Sequence, residues 1–255
     1  MKTQLVPPRL AAVALLLVLL LAWEGAARAI GVSALVLPAP SAVLRALWNG
    51  LASGYFQPHI MATGSEVLLG LAIGCLLGFG SGVVLAESAA LRRLLMPYVV
   101  TSQVIPKLAL APLFIVWFGF GMTSTVVITA LICFFPLLEN TMTALQQVDP
   151  NRLELFRMLG ATRRQTLLRL KLPAGLPGIL AGLRVAVVLA LVGAVVGEFI
   201  GAGRGLGALI IASQGMMDTP LMFAVLVIIA ALGMLLYQLT LAIERRLLLP
   251  YTQIS

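Results

Sequence analysis

Residues 154–173, ELFRMLGATRRQTLLRLKLP, form a basic, helix-forming segment inside an otherwise very apolar chain. Six arginine and lysine residues lie between Arg152 and Lys171. Long hydrophobic runs flank the segment on both sides. Because runs of about 20 apolar residues cross a bilayer as helices, the segment must emerge from a membrane on one face. It therefore decides the class of fold and places a polar element between two spans.

The composition of the whole chain agrees with a polytopic membrane protein. Of 255 residues, 61% are hydrophobic and 10% are charged, with a mean hydropathy of +1.08. Soluble domains carry about 25% charged residues, so this chain has too few charges to solvate a globular surface. Cys75 and Cys133 lie within apolar runs and His59 is the single histidine. These residues predict neither a metal site nor a disulfide.

Six apolar segments are candidates for membrane spans, and they predict an all-α integral membrane protein with six transmembrane helices. The segments are about 10–29, 64–86, 97–118, 122–139, 176–200 and 221–243. The predicted parts of the chain are an N-terminal helix and outer segment (1–59), a transmembrane core (60–244) with the polar loop at 149–173, and a tail (245–255). Glu24 interrupts the first span after a charge-free core of 14 residues, 10–23. This leaves open a cleavable signal peptide instead of a retained helix.

The basic residues predict the direction of the spans. With the N-terminus inside, inner segments hold twelve of them and outer segments hold three, Arg28, Arg45 and Arg204. Positive residues accumulate on the cytoplasmic side, so we expect both termini and the 149–173 loop to be cytoplasmic. The net charge of +8 follows this topology and does not indicate nucleic-acid binding.

The polar loop carries start and stop signals for two short helices. Asp149 is a favourable N-cap and Pro150 suits the first helical turn. Gly160 favours a break, after which Thr162 can cap a second helix. Proline interrupts helices, so Pro173 and the following Pro177 predict that the second helix ends before the fifth span.

Small residues recur every four positions in two spans and predict close helix packing. They are Gly70, Gly74, Gly78 and Gly82 in the second span and Gly178 and Gly182 in the fifth. Such ridges let helix backbones approach in lipid. They either hold the bundle together or line a moving seam or a dimer interface.

The spacing of the loop resembles the cytoplasmic EAA loop of ABC-transporter permeases, Glu-Ala-Ala-x3-Gly-x9-Ile-x-Leu-Pro. Leu155 and Phe156 replace the two alanines, and Leu170 stands for isoleucine. In that family the loop docks an ATPase. The resemblance implies a docking role for Glu154, Leu155, Phe156, Gly160, Ala161, Thr162, Arg163, Leu170, Leu172 and Pro173.

Three further segments resemble the same family: LPAPSAV at 37–43, IPKLALAPLFIVWFG at 105–119, and GEFIGAGRGLG at 197–207 followed by DTP at 218–220. Together with the loop they cover about residues 35–250. The resemblance implies a homodimer in the bacterial inner membrane, two ATP-binding subunits that hold ATP and magnesium, and a periplasmic or lipoprotein binding protein. It suggests a permease for sulfonates, taurine or nitrate, or alternatively for a thiamine-precursor pyrimidine or riboflavin.

Three ionisable residues in or beside the spans are candidates for the transport pathway, because charges are costly in a membrane. Lys107 either favours passage of an anion or snorkels to the interface. Arg184 either snorkels or pairs with Glu139. Glu198 is either an exposed interfacial carboxylate or a gate or binding-protein contact.

Two other classes compete with the permease interpretation. A secondary transporter would show internal repeats and midplane carboxylates, and an integral membrane enzyme would need clustered His, Asp or Glu. No repeat is evident, and the nine acidic residues are scattered along the sequence. The chain carries no Walker sequence, so we predict no catalytic residue and expect a separate ATPase. The sequence does not identify the transported solute.

Overall fold

The computed structural model describes residues 8–29, 35–201 and 203–252, and these residues are almost entirely helical. In chain order the α-helices are α1 (Pro8–Ala29), α2 (Pro40–Ala52), α3 (Gln57–Glu87), α4 (Ala89–Val104), α5 (Ala111–Phe118), α6 (Met122–Gln146), α7 (Pro150–Met158), α8 (Arg163–Thr166), α9 (Leu172–Gly201), α10 (Leu206–Gly215) and α11 (Thr219–Thr252). A 3₁₀ turn lies at Lys107–Leu110 and a π-helical turn at Leu167–Lys171. The predicted all-α class is confirmed.

Five helical segments in the described part of the chain are long and apolar enough to cross a membrane: Ala11–Ala29, Gln57–Glu87, Met122–Gln146, Arg163–Gly201 and Thr219–Leu249. They contain five of the six predicted spans. The predicted tail begins inside α11, which continues to Thr252. Residues 253–255 of that tail, like Lys2 and residues 30–34 of the outer segment, lie outside the described residues.

The third predicted span, 97–118, is not one continuous helix, so that prediction is wrong. Helix α4 ends at Val104, Ile105 is extended (φ −67°, ψ 123°), and the chain passes through the 3₁₀ turn before α5 begins. The cause is Pro106, whose ring disfavours helical geometry at the residue before it and which lacks an N–H for the helix. We call residues 105–110 the broken segment.

The prediction that Pro173 and Pro177 end the second loop helix is also wrong. Residues 163–201 form one helical rod, with the π-helical turn just before Pro173. The Leu172 N–H bonds the Leu167 carbonyl, five residues back. The wider turn shifts the hydrogen-bond register where proline removes a donor, and such adjustments let transmembrane helices retain prolines.

Helix α6 lies between α3 and α9, and these three helices form the centre of the molecule. The glycine ridge of α3 faces α6 at close range. A Cβ on Gly70 would lie 2.5 Å from Thr129 Cβ, one on Gly78 would lie 2.5 Å from the Phe134 carbonyl, and one on Gly82 would lie 2.7 Å from the Leu138 carbonyl. Gly178 and Gly182 of α9 face Ala144 and Asn140 of α6 in the same way. Both ridges therefore pack inside one subunit.

Helix α1 lies at the periphery of the bundle. Its contact with α2 explains why a glutamate, Glu24, interrupts the apolar sequence of this helix. The Glu24 carboxylate accepts hydrogen bonds from Ser41 N (2.9 Å) and Ser41 Oγ (2.8 Å), and it pairs with Arg28 at 2.5 Å. Ser41 lies in the first turn of α2, where backbone N–H groups lack helical partners. Glu24 thus caps α2, a helix within the predicted N-terminal part of the chain, 1–59.

Candidate functional site

The first part of the polar loop is a short helix with a side-chain cap at its start. Asp149 Oδ1 accepts a hydrogen bond from the Asn151 N–H at 2.8 Å, and Pro150 occupies the first helical position. Both features were predicted. They define where α7 begins, directly after α6 and outside the long apolar helices.

Helix α7 ends in a Schellman motif centred on Gly160. The Ala161 N–H donates to the Phe156 carbonyl and the Gly160 N–H donates to the Arg157 carbonyl, both at 3.0 Å. Gly160 has φ +71°, a left-handed conformation that glycine adopts without steric cost. The chain therefore reverses sharply at Gly160, as its position in the sequence predicted.

A capping box starts the second half of the loop. Gln165 N–H donates to Thr162 Oγ1 at 3.3 Å, and Thr162 N–H donates to Gln165 Oε1 at 2.8 Å. This reciprocal pair satisfies two backbone donors and fixes the direction of α8. Helix α8 then continues through the π-helical turn into α9, so the loop is rigidly joined to a long helix. We call residues 149–173 the coupling segment.

The coupling segment exposes large apolar side chains together with its basic residues. Leu155 is 54% exposed, Met158 81% and Leu159 73%, whereas Phe156 is half-buried and Leu170 is buried. Glu154, Thr162 and Arg163 are exposed, and Ala161, Leu172 and Pro173 are partly buried. A cluster of exposed apolar side chains next to charges is typical of a protein interaction surface.

The broken segment carries Lys107, the first pathway candidate. Lys107 Nζ lies 4.5 Å from the centre of the Phe135 ring on α6, a cation–π distance. Ile105 beside it is 47% exposed. Non-helical backbone at membrane depth is tolerated only where protein covers it or where it lines an aqueous cavity. We therefore expect the broken segment to face another protein surface or water rather than lipid.

Arg184, the second candidate, does not pair with Glu139, so that predicted pairing is wrong. Its Nε lies 3.3 Å from Glu244 Oε2 on α11, and Glu139 is exposed on α6. The pairing joins α9 to α11 across the bundle, a contact between residues 60 positions apart that local sequence does not reveal.

Glu198, the third candidate, is 1% exposed, so its interpretation as an exposed interfacial carboxylate is wrong. Its Oε1 accepts from Thr63 Oγ1 at 2.6 Å and its Oε2 accepts from the Gly207 N–H at 2.5 Å. Thr63 Oγ1 in turn accepts from the Leu206 N–H at 2.8 Å. Leu206 and Gly207 open α10, so Glu198 and Thr63 satisfy the free N–H groups at its start.

The residues around Glu198 and the start of α10 are closely packed. His59 Nδ1 lies 2.9 Å from the Gly205 carbonyl oxygen, and a Cβ on Gly205 would collide with the Glu198 carboxyl group. Gly205 also has φ +135°, which favours glycine. We call the contacts among Thr63, Glu198 and Gly205–Gly207 the α10 junction.

Glu66 is a polar residue that sequence reasoning missed. It lies one turn after Thr63 on α3, is 3% exposed, and its carboxyl group contacts that of Glu198. Two acidic residues that lie far apart in the sequence, Glu66 and Glu198, are therefore brought together. Among the described residues, no group of three or more His, Cys, Asp or Glu is placed to hold a metal ion.

These features define the class of protein: an all-helical membrane protein with an interrupted apolar segment at 97–118 and a polar segment at 149–173 that connects two long apolar helices. Residues 70–249 match the family model of the binding-protein-dependent transport system inner membrane component. The chain therefore belongs to this family and is a permease subunit of an ABC importer. It is a transport subunit, not a catalytic enzyme.

Curated relatives match almost the whole chain. The riboflavin transport system permease protein of Chloroflexus aurantiacus is 39% identical over 91% of this chain and 87% of its own length. The formylaminopyrimidine transport permease protein of Halalkalibacterium halodurans is 38% identical over 92% of this chain and 93% of its own. The taurine transport system permease protein of Escherichia coli is 31% identical over 91% and 86%.

The fold is also found in solved structures. An inward-facing structure of the MetNI methionine ABC transporter matches with a TM-score of 0.66 and 22% identity, over 74% of this chain and 94% of that one. A second crystal form matches with a TM-score of 0.67 and 20% identity. This likeness establishes the arrangement of helices.

Proposed function

We propose that this permease subunit couples the uptake of a small solute to ATP hydrolysis through the coupling segment. The carrying observation is the exposed apolar surface of Leu155, Met158 and Leu159 on a rigid, basic segment outside the spans. Exposing three large apolar side chains to water on a well-ordered segment is unfavourable unless a partner covers them. A groove on a separate ATP-binding subunit would cover them.

The remaining partners follow from the family and from the distribution of charge. The excess of basic residues supports a cytoplasmic location for the coupling segment and both termini. Two copies of this chain bind two ATP-binding subunits, which hold ATP and magnesium, and a periplasmic or lipoprotein binding protein delivers the solute outside. ATP closes the ATPases, the coupling segments move together, and the dimer switches from inward-facing to outward-facing.

The broken segment supports a pathway at the dimer axis. Its irregular backbone and the exposed Ile105 require cover by a second subunit or by water. In a symmetric dimer this face meets its own copy, and Lys107 lies at the edge of the space between them. Discontinuous helices recur at the solute sites of membrane transporters, so we place the pathway beside Lys107.

The solute is proposed to be a nitrogen heterocycle of the riboflavin or thiamine-precursor type. Two relatives with such solutes in their names share 39% and 38% identity with this chain, whereas the taurine permease shares 31%. An aliphatic sulfonate or taurine remains the second candidate, and the Lys107 cation favours it. ATP-dependent uptake of riboflavin, formylaminopyrimidine and taurine, measured in parallel with the cognate binding protein, separates the two classes.

Glu154→Lys is expected to uncouple the transporter without preventing its insertion. The substitution reverses an exposed charge on the proposed docking face and should weaken binding of the ATPase by about tenfold or more, which is about 1.4 kcal/mol. Co-purification of the ATPase and ATP-driven uptake in proteoliposomes measure the effect.

Arg152→Glu is the matched control for this prediction, because it reverses a charge on α7 two positions away and therefore on the opposite face. It should retain ATPase binding and uptake. If Glu154→Lys also retains both, the coupling segment is not the docking element. Uptake that persists in the wild type without ATPase would instead identify a gradient-driven transporter.

A further inference from the structure

An ion pair joins the coupling segment to the corner between α3 and α4. Lys171 Nζ lies 2.6 Å from Glu87 Oε1, and the two side chains are 19% and 26% exposed. The residues are 84 positions apart in the chain. The two side chains are partly buried, so solvent screens their charges less than it screens an ion pair on the surface. The attraction between them is therefore stronger.

Glu87 ends α3 at a corner made by one residue. Ser88 is extended (φ −118°, ψ 101°) and its Oγ accepts from the Leu91 N–H at 3.3 Å, which starts α4 immediately. Arg92 reaches back to the Leu85 carbonyl at 3.4 Å. Because only Ser88 separates the two helices, a displacement of Glu87 is passed directly to the start of α4.

Lys171 ends the π-helical turn on the other side of the contact. Leu167, which begins that turn, and Leu172, which follows it, pack against the same apolar cluster as Val83 and Ala86 of α3. The coupling segment is thus joined to the end of α3 by the ion pair and by packing against a shared apolar cluster. Isolated π-helical turns occur frequently at functional sites, because they reposition side chains within a helix.

Helix α4 continues from the corner to the broken segment. Met96 and Val99 of α4 pack with Leu85 of α3 and Phe134 of α6. The next residue of α6, Phe135, is the one that Lys107 contacts. A continuous chain of packed residues therefore runs from the coupling segment to the proposed pathway, and the ion pair lies at its first step.

We propose that Lys171 and Glu87 are positioning residues of the transport cycle, which transmit movement of the coupling segment to α4 and the broken segment. This inference rests on the proposed docking role of the coupling segment. The Lys171–Glu87 ion pair then contributes to the coupling of ATP hydrolysis to uptake as well as to the stability of the fold.

The test is a charge-swap cycle in the complete transporter, reconstituted with its ATPase and binding protein. Lys171→Glu and Glu87→Lys are each expected to keep the ATPase bound but to lower solute taken up per ATP hydrolysed by about threefold to thirtyfold, the range for residues that link two sites. The double variant Lys171→Glu/Glu87→Lys restores the opposite charges and should recover most of the ratio. Arg246→Glu, an exposed charge reversal on α11 outside the coupling segment, is the control and should leave it unchanged.

The ratio of uptake to hydrolysis, measured beside the thermal midpoint of each variant, separates transmission from stability. If either charge reversal prevents folding, Lys171→Gln and Glu87→Gln repeat the test, because they remove the ion pair without creating repulsion between like charges. An unchanged ratio in the single variants overturns the inference, as does a double variant that recovers the thermal midpoint but not the ratio. Failure of the docking proposal is seen separately, as ATPase binding that survives Glu154→Lys or as wild-type uptake without ATPase.

Discussion

Gly74→Leu is expected to abolish accumulation of the folded protein, whereas Gly80→Leu on the same helix should leave it nearly unchanged. A Cβ on Gly74 would collide with the Ala130 carbonyl oxygen and lie 2.9 Å from Cys133 Cβ. The obstacle is the backbone of α6, which cannot move as the end of a side chain can. A Cβ on Gly80 meets nothing within 4 Å. The two variants add the same side chain to α3 and differ only in what it meets.

The energetic scale supports a large difference between them. Overpacking costs about 1–3 kcal/mol where neighbours can shift, and more where they cannot. Proteins are stable by only about 5–15 kcal/mol, and close contact between small residues is a main source of helix association in lipid. Leucine at position 74 forces α3 away from α6 along the whole glycine ridge.

Size-exclusion profiles and thermal midpoints of the two variants in detergent measure the effect. Aggregated Gly74→Leu beside monodisperse Gly80→Leu is the expected result. Equal profiles would show that α3 does not pack on α6 through this ridge. Equal loss in both variants would place the cause in the helix propensity of leucine or in lipid contacts instead.

Features that depend on neighbours in the chain were predicted well from the sequence. The long apolar helices follow from hydrophobic runs, and the caps at Asp149 and Thr162 follow from residues two or three positions away. Gly160 was recognisable because a Schellman turn needs glycine at one defined place. These signals are local, so a single sequence contains them.

Features that depend on distant residues were missed. Thr63 and Glu198 are 135 positions apart, and nothing beside either residue indicates the other. Helices α2 and α10 were not predicted, because the side chains that cap their N-termini come from other helices. The break at Ile105 had a local cause, Pro106, but hydropathy alone predicted a continuous span there.

Glu24 and Glu198 illustrate one principle at two places in the fold. Each lies in a long helix that looks apolar, and each carboxylate accepts backbone N–H groups at the start of a short neighbouring helix, α2 or α10. A carboxylate near a helix N-terminus is stabilised by the free donors and by the helix dipole. An acidic residue inside a predicted span therefore indicates a structural cap as readily as a transport site.

Glu198→Ala is expected to unfold the α10 junction, because it removes the acceptor of two buried donors. The Gly207 N–H and the Thr63 hydroxyl would each lose a partner, at about 1–3 kcal/mol per group. The thermal midpoint should fall by several degrees, since about 1 kcal/mol shifts it by about 2–4 °C in a chain of this size. Hydrogen exchange at the start of α10 should rise, because the Gly207 amide is no longer protected.

Two further variants distinguish loss of the cap from loss of charge. Glu198→Gln keeps an oxygen that accepts from Gly207 and an amide that donates to Thr63 Oγ1, so it should retain most of the stability. Glu139→Ala removes an exposed glutamate from α6 and should have little effect. If Glu198→Gln is as unstable as Glu198→Ala, the negative charge itself holds α10 in place. If both retain the wild-type midpoint and exchange rates while uptake is lost, Glu198 acts in transport rather than as the cap of α10.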